Sequence, residues 1–137
     1  MSDAVATIAV LGTGIMGAPM AERLADAGFT VTAWNRTAEK TASLAAKGIA
    51  VADSAAAAAA TADAVICMLS SGPVCEGVLA GPDGVIAGMR PGSVLVVMSS
   101  IPVETAVALA TAAAAQGVAF LDAPVSGGEK GAIEGTL

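Results

Sequence analysis

Three glycines, Gly12, Gly14 and Gly17, follow directly on the apolar run Val5 to Leu11 and open a stretch, Ala18 to Gly28, that reads as helix. The chemistry served by this spacing is phosphate binding. The first glycine permits the turn, the second lets a pyrophosphate approach the backbone, and the third lets helix and strand pack closely. Thr13, Ile15 and Met16 complete the loop. The phosphates would rest on unpaired amides at the positive end of the helix dipole. A glycine turn with no ligand uses the same residue type, and the surrounding strand and helix are what favour the binding reading.

A second candidate set is Asn35-Arg36-Thr37, which ends the apolar run Thr30 to Trp34. An NAD site usually places an acid there to accept hydrogen bonds from the ribose 2′-hydroxyl, whereas a cation accommodates a 2′-phosphate. This triplet has no acid, and Arg36 offers a planar, permanently charged fork, so NADP(H) is expected over NAD(H). The plainer reading makes Arg36 a surface cation at a helix start. A third set is Ser126-Gly127-Gly128, whose consecutive amides and hydroxyl suit a carboxylate. A tight glycine turn after a strand would use the same residues.

Acid–base chemistry at such a site would need a group with a tuned pKa, typically Lys, His or Tyr. The chain has no His and no Tyr. Lys40 and Lys47 read as the solvated face of a second helix, and Lys130 lies beyond the Ser-Gly-Gly segment. Cys67 and Cys75 have no metal or redox spacing and read as reduced packing residues of a cytoplasmic protein, with no metal site expected.

The elements that must position these residues alternate along the chain. A helix from about Ile15 to Ala27 stops at Gly28, a second strand spans Thr30 to Trp34, and Thr37 is a candidate cap for a second helix in which Leu44 faces inward. Ile49 to Val51 is a short strand, and Ala55 to Ala60 suits helix by composition. Ala64 to Leu69, Ser93 to Met98 and Val118 to Leu121 read as the remaining strands, with helices from Ser70-Ser71-Gly72-Pro73 to Leu79 and from Ile101-Pro102 to Ala115. Asp122 to Gly131 reads as loop. Short connections between alternating strands and helices predict an α/β, Rossmann-like, doubly wound and mainly parallel sheet, one domain over residues 1–137. Ligands of such a sheet bind beyond the carboxyl ends of its strands, where all the polar segments named above fall.

With 55% hydrophobic residues the chain can fill a core, yet every apolar run is interrupted well short of a membrane span. Met1-Ser2-Asp3 lacks the basic start of a secretory signal. Net charge is −6, with six scattered Lys and Arg, which argues against a nucleic-acid surface.

The strings Gly12-Thr13-Gly14-Ile15-Met16-Gly17-Ala18-Pro19-Met20-Ala21, Asn35-Arg36-Thr37 and Asp122-Ala123-Pro124-Val125-Ser126-Gly127-Gly128 resemble the beta-hydroxyacid dehydrogenase family. That family includes 3-hydroxyisobutyrate dehydrogenase, tartronate semialdehyde reductase and the glyoxylate/succinic semialdehyde reductases. The resemblance implies NAD(P)-dependent hydride transfer to or from a small hydroxy acid or semialdehyde. It implies that Met68, Leu69 and Ser100 line the cofactor and that Ser126, Gly127 and Gly128 hold the substrate. Val97 stands where the family usually has Asp, and Ser70 where it often has Pro. The family's catalytic lysine belongs to a following all-helical domain, so no catalytic residue is expected among these 137 residues and the chain reads as the cofactor domain of a longer enzyme. An apolar face meant for that domain would be covered by self-association, through the segment Gly131 to Leu137. The alternatives are a stand-alone dinucleotide-binding or interaction module, and the front half of an imine reductase or a 6-phosphogluconate dehydrogenase.

Overall fold

The computed structural model describes residues 4–137, so the first three residues read above lie outside the described residues. Six strands, β1 (Thr7–Leu11), β2 (Thr30–Trp34), β3 (Ala50–Val51), β4 (Ala64–Cys67), β5 (Val94–Val97) and β6 (Ala119–Asp122), form one sheet in the order β3-β2-β1-β4-β5-β6. Every pairing is parallel. The order reverses direction between β1 and β4, and that switch point opens a crevice at the carboxyl ends of both strands.

Residue alternation sorts the central strands onto two faces. Ala9 and Leu11 of β1, Val65 and Cys67 of β4, and Leu95 and Val97 of β5 point to one side. There they pack with α3 (Ala55–Ala59), α4 (Gly72–Leu79), α5 (Val85–Gly88) and α6 (Val103–Ala115) through Leu79, Val85, Ile86 and Leu109. Ile8, Val10, Ala64 and Ile66 point to the other, against Met20 and Ala21 of α1 (Gly17–Asp26) and Leu44 of α2 (Ala42–Ala46). Burial on both faces explains why β1 and β4 read as unbroken apolar runs. Val97 is fully buried, so the position where the family usually has Asp belongs here to the core.

Helix starts follow local chemistry in two places. The Ser54 and Ser71 hydroxyls accept from the amides of Ala57 (3.0 Å) and Val74 (3.3 Å), capping α3 and α4. Thr37 gives no such cap: it precedes a single 3₁₀ turn, Ala38–Thr41, that leads into α2. Its side chain accepts nothing from that turn; the turn's own bonds run from the Lys40 amide to the Thr37 carbonyl at 3.1 Å and from the Thr41 hydroxyl to the Ala38 carbonyl at 2.6 Å.

The segment read as loop ends inside a seventh helix, α7 (Gly128–Glu134), which buries Gly131 and Ala132. The Arg23 guanidinium on α1 donates to the Ile133 carbonyl at 2.7 Å and holds it in place. Part of the segment expected to cover an open face is therefore packed on the chain itself, while Ile133 and Leu137 stay exposed. At the opposite, amino-terminal edge of the sheet, Asp63 accepts from the amides of Ala6 (2.9 Å) and Thr7 (3.0 Å) and from Arg90 (2.7 Å). These three donors hold its carboxyl down to about 2, below the ordinary 3.8. Among the described residues no helix is long and apolar enough to cross a membrane.

Candidate functional site

A crevice of about 450 Å³ lies over the switch point. Its floor is the turn between β1 and α1, one wall is the end of β2 with the 3₁₀ turn, and the other is the β4–α4 connection. The three glycines of the turn are required for different reasons. Gly12 has φ +99°, and a Cβ there would overlap the Met68 carbonyl oxygen; a Cβ on Gly17 would overlap the Gly12 carbonyl. Those two positions are fixed by the close approach of one backbone to another. Gly14 is exposed, has ordinary φ, and has nothing within 4 Å of where a Cβ would stand, so no protein contact demands a glycine there. A side chain at Gly14 would fill crevice space instead.

The start of α1 carries no side-chain cap at Met16; in its first turn the Ala18 amide donates to the Gly14 carbonyl at 3.1 Å and Pro19 has no N–H, which leaves the Gly17 amide to an anion. Gly14, Ile15, Met16 and Gly17 line the crevice, with Ile15 69% exposed at its mouth. Thr13 does not line it. It is buried, its amide donates to Asn35 Oδ1 at 3.0 Å, and its hydroxyl donates to the Lys40 carbonyl at 3.0 Å. Asn35 lines the crevice but spends its side chain internally, since Nδ2 also donates to the Thr37 carbonyl at 3.1 Å. Thr37 is exposed and stands outside the lining. Of the triplet, Arg36 is the member that presents a charge to the crevice.

It does so beside Lys40, whose place in the sequence suggested a solvated helix face. The signal that could have found Lys40 is its spacing: four residues after Arg36, on a tight turn, it returns to the same side. Lys47 does face solvent, paired with Glu22 at 2.9 Å.

On the β4 side, Met68 and Leu69 line the crevice as expected, joined by Ser70, Val74 and Val78, with Trp34 facing them from β2. Their connection is held by Ser99, not Ser100. The Ser99 hydroxyl is buried, accepts from the Leu69 amide at 2.8 Å and donates to the Cys67 carbonyl at 3.3 Å. Ser100 is exposed and outside the crevice. Beneath this loop the Cys67 and Cys75 sulfurs lie 3.7 Å apart as free, buried thiols, and the mutual hydrogen bond together with burial pushes Cys67 up.

Ser126, Gly127 and Gly128 are exposed and do not line the crevice. Gly127 (φ +121°) and Gly128 (φ +61°) sit in backbone conformations that favour glycine, and they form the turn into α7. Lys130 is exposed on that helix.

Residues 7–137 match the family described as the NAD binding domain of 6-phosphogluconate dehydrogenase. The chain belongs to this family. Among curated relatives, 3-hydroxyisobutyrate dehydrogenase of Pseudomonas aeruginosa is 43% identical over 130 residues, covering 95% of this chain and 44% of that protein. Among solved structures, 3-hydroxyisobutyrate dehydrogenase of Mycobacterium tuberculosis with L-serine superposes with a TM-score of 0.86 at 40% identity, over 96% of this chain and 44% of that one. The imine reductase of Myxococcus stipitatus superposes at 0.83 (28% identity, 91% of this chain and 43% of that one) in its NADP+ complex. A variant of it with NAD+ superposes at 0.84 (25% identity, 92% and 43%). The chain thus spans less than half the length of these relatives. This NAD-binding domain family gives the crevice its ligand class, a dinucleotide, and the described residues fit it: an open Gly14, the uncapped Gly17 amide and two cations.

Proposed function

We propose that the chain is the cofactor-binding unit of an NADP(H)-dependent oxidoreductase that transfers hydride to or from a small β-hydroxy acid or semialdehyde. The observation that carries the cofactor half is the pair Arg36 and Lys40 at the crevice wall formed by the end of β2, with no acid among the lining residues. A 2′-phosphate gains a charge-assisted hydrogen bond from each cation, whereas a 2′-hydroxyl finds no carboxylate to accept from it. The open backbone at Gly14 and the Gly17 amide that begins α1 would hold the pyrophosphate. The nicotinamide supplies the hydride when bound, and Met68, Leu69 and Ile15 keep water from the adjoining apolar crevice.

The substrate half rests on the family resemblance of Ser126, Gly127 and Gly128 and on relatives named as hydroxyacid dehydrogenases. The Ser126 hydroxyl and the neighbouring amides would hold the substrate carboxylate. The proton donor would come from outside these residues, which offer no His or Tyr and no lysine at the β4 wall. Exposed Ile133 and Leu137 would serve self-association as a homo-oligomer, and the two free thiols suit a reducing, cytoplasmic setting.

Titration of NADPH and NADH into wild type and Arg36→Ala tests the cofactor reading. NADPH should bind tighter, and the variant should lose about tenfold or more of NADPH affinity with little change for NADH. Equal wild-type affinities would sink it. With glyoxylate, succinic semialdehyde and tartronate semialdehyde the chain alone should give no turnover. A rate of about 1 per second or more would place the catalytic group within it. In a full-length parent, Ser126→Ala should raise KM for the acid without altering NADPH affinity; an unchanged KM would remove that loop from the substrate site.

A further inference from the structure

Thr13 occupies the position between the first two glycines of the turn, where a side chain has the choice of facing the ligand or the protein. It faces the protein, with 3% of its surface exposed. Both of its donors are directed at the β2 end of the crevice: the amide to Asn35 Oδ1 at 3.0 Å and the hydroxyl to the Lys40 carbonyl at 3.0 Å, across 27 residues of chain. The turn that this second bond reaches is short and open. Ala38, Glu39 and Lys40 are all exposed, and the turn has its own local bonds from the Lys40 amide to Thr37 (3.1 Å) and from the Thr41 hydroxyl to Ala38 (2.6 Å). Those bonds fix the shape of the turn but not its distance from the glycine loop. Asn35 ties the start of the turn to that loop, bridging the Thr13 amide and the Thr37 carbonyl, and the Thr13 hydroxyl is the tie at Lys40 itself.

We propose that Thr13 is a positioning residue for cofactor selectivity, its buried hydroxyl holding the 3₁₀ turn so that Lys40 stands beside Arg36 at the crevice. This rests on the NADP(H) reading above. The physical reason is the character of the lysine charge. An ammonium is a compact point charge, so its attraction for a phosphate depends on the distance at which its turn is held. The glycine loop that seats the pyrophosphate and the turn that carries the second cation are thereby set at one fixed spacing. A dinucleotide spans the same two features. The same bond matters less to a 2′-hydroxyl ligand, which carries no charge for Lys40 to attract and can only accept a single hydrogen bond from it.

The test uses two probes that differ only in the 2′-phosphate, adenosine 2′,5′-bisphosphate and 5′-AMP, titrated calorimetrically into the chain. Thr13→Val keeps the shape and removes the hydroxyl, and should weaken the bisphosphate about fivefold, as loss of one hydrogen bond's net contribution implies, while 5′-AMP changes little. Thr13→Ser should restore the wild-type ratio. Lys40→Met should lower the ratio by itself, and adding Thr13→Val to it should lower it no further. If wild type binds both probes equally, the NADP(H) reading falls. If wild type is selective and Thr13→Val keeps the ratio, or weakens both probes alike, Thr13 is a packing residue and the inference is overturned. Should Thr13→Val fail to fold, Thr13→Ala reads the same loss of hydroxyl, and an unchanged ratio in Lys40→Met, at an exposed side chain, overturns the inference as well.

Discussion

The glycine turn after β1 and the glycine pair before α7 both leave the carboxyl end of one sheet, yet their glycines answer different demands. At the first, Gly12 and Gly17 are required because backbone meets backbone, and Gly14 is surrounded by open crevice. At the second, Gly127 and Gly128 are required by positive φ alone, and the turn they make stands on an exposed surface. In a crevice, a glycine that the protein itself does not need leaves its backbone open to a ligand; a glycine that the backbone needs carries no such information. The spacing of glycines in a sequence cannot separate these cases, and the space around each Cβ does.

The largest effect should come from Gly12→Ala. Backbone strain of about 1–3 kcal/mol at φ +99° adds to an overlap with the Met68 carbonyl costing about 1–3 kcal/mol. Urea unfolding should show a loss of about 3 kcal/mol or more, with dinucleotide binding lost too. Wild-type stability would mean that the loop relaxes freely and that the packing side of the comparison is wrong.

Gly14→Ala sharpens the contrast by separating fold from binding. Stability should stay within about 0.5 kcal/mol, while affinity for NADPH drops about tenfold or more, equivalent to about 1.4 kcal/mol. Unchanged affinity would reduce the crevice to an empty surface feature. Ser99→Ala probes the opposite wall: with the Leu69 amide left unpaired, a cost of about 1–2 kcal/mol is expected in the same unfolding assay.

At the second loop, Gly128→Ala meets no neighbour and should cost about 1 kcal/mol for its left-handed backbone, with NADPH affinity intact. A loss of affinity would bring that loop into the cofactor site. The smallest effect belongs to the far edge of the sheet. Asp63 is held down to about 2 when folded, so its contribution is complete above the ordinary 3.8 and is lost as pH falls from about 4 toward 2. Asp63→Asn should flatten the stability profile across that acid window without touching cofactor binding, and an unaltered profile would show that the clamp is replaceable.

The alternating apolar runs were enough to determine the strand–helix–strand order, the doubly wound class and the phosphate turn, because each depends on neighbours in sequence: a strand's face, a cap, a glycine where the chain must turn. The same local reading brought Arg36 and the three glycines to the crevice, and the family resemblance brought Met68 and Leu69. Lys40 and Ser99 were not, nor was the internal commitment of Thr13 and Asn35, since each is decided by a partner 22 to 32 residues away. The helix α7 was hidden because Gly127, Gly128, Gly131 and Gly135 argue locally for loop, whereas packing of Gly131 and Ala132 and the bond from Arg23 across 110 residues supply what propensity lacks. Local chemistry chose the elements. Which polar groups remain free for a ligand was settled only when the sheet brought β1, β2, β4 and β5 side by side, because a hydrogen bond made inside the protein is one no longer offered to the crevice.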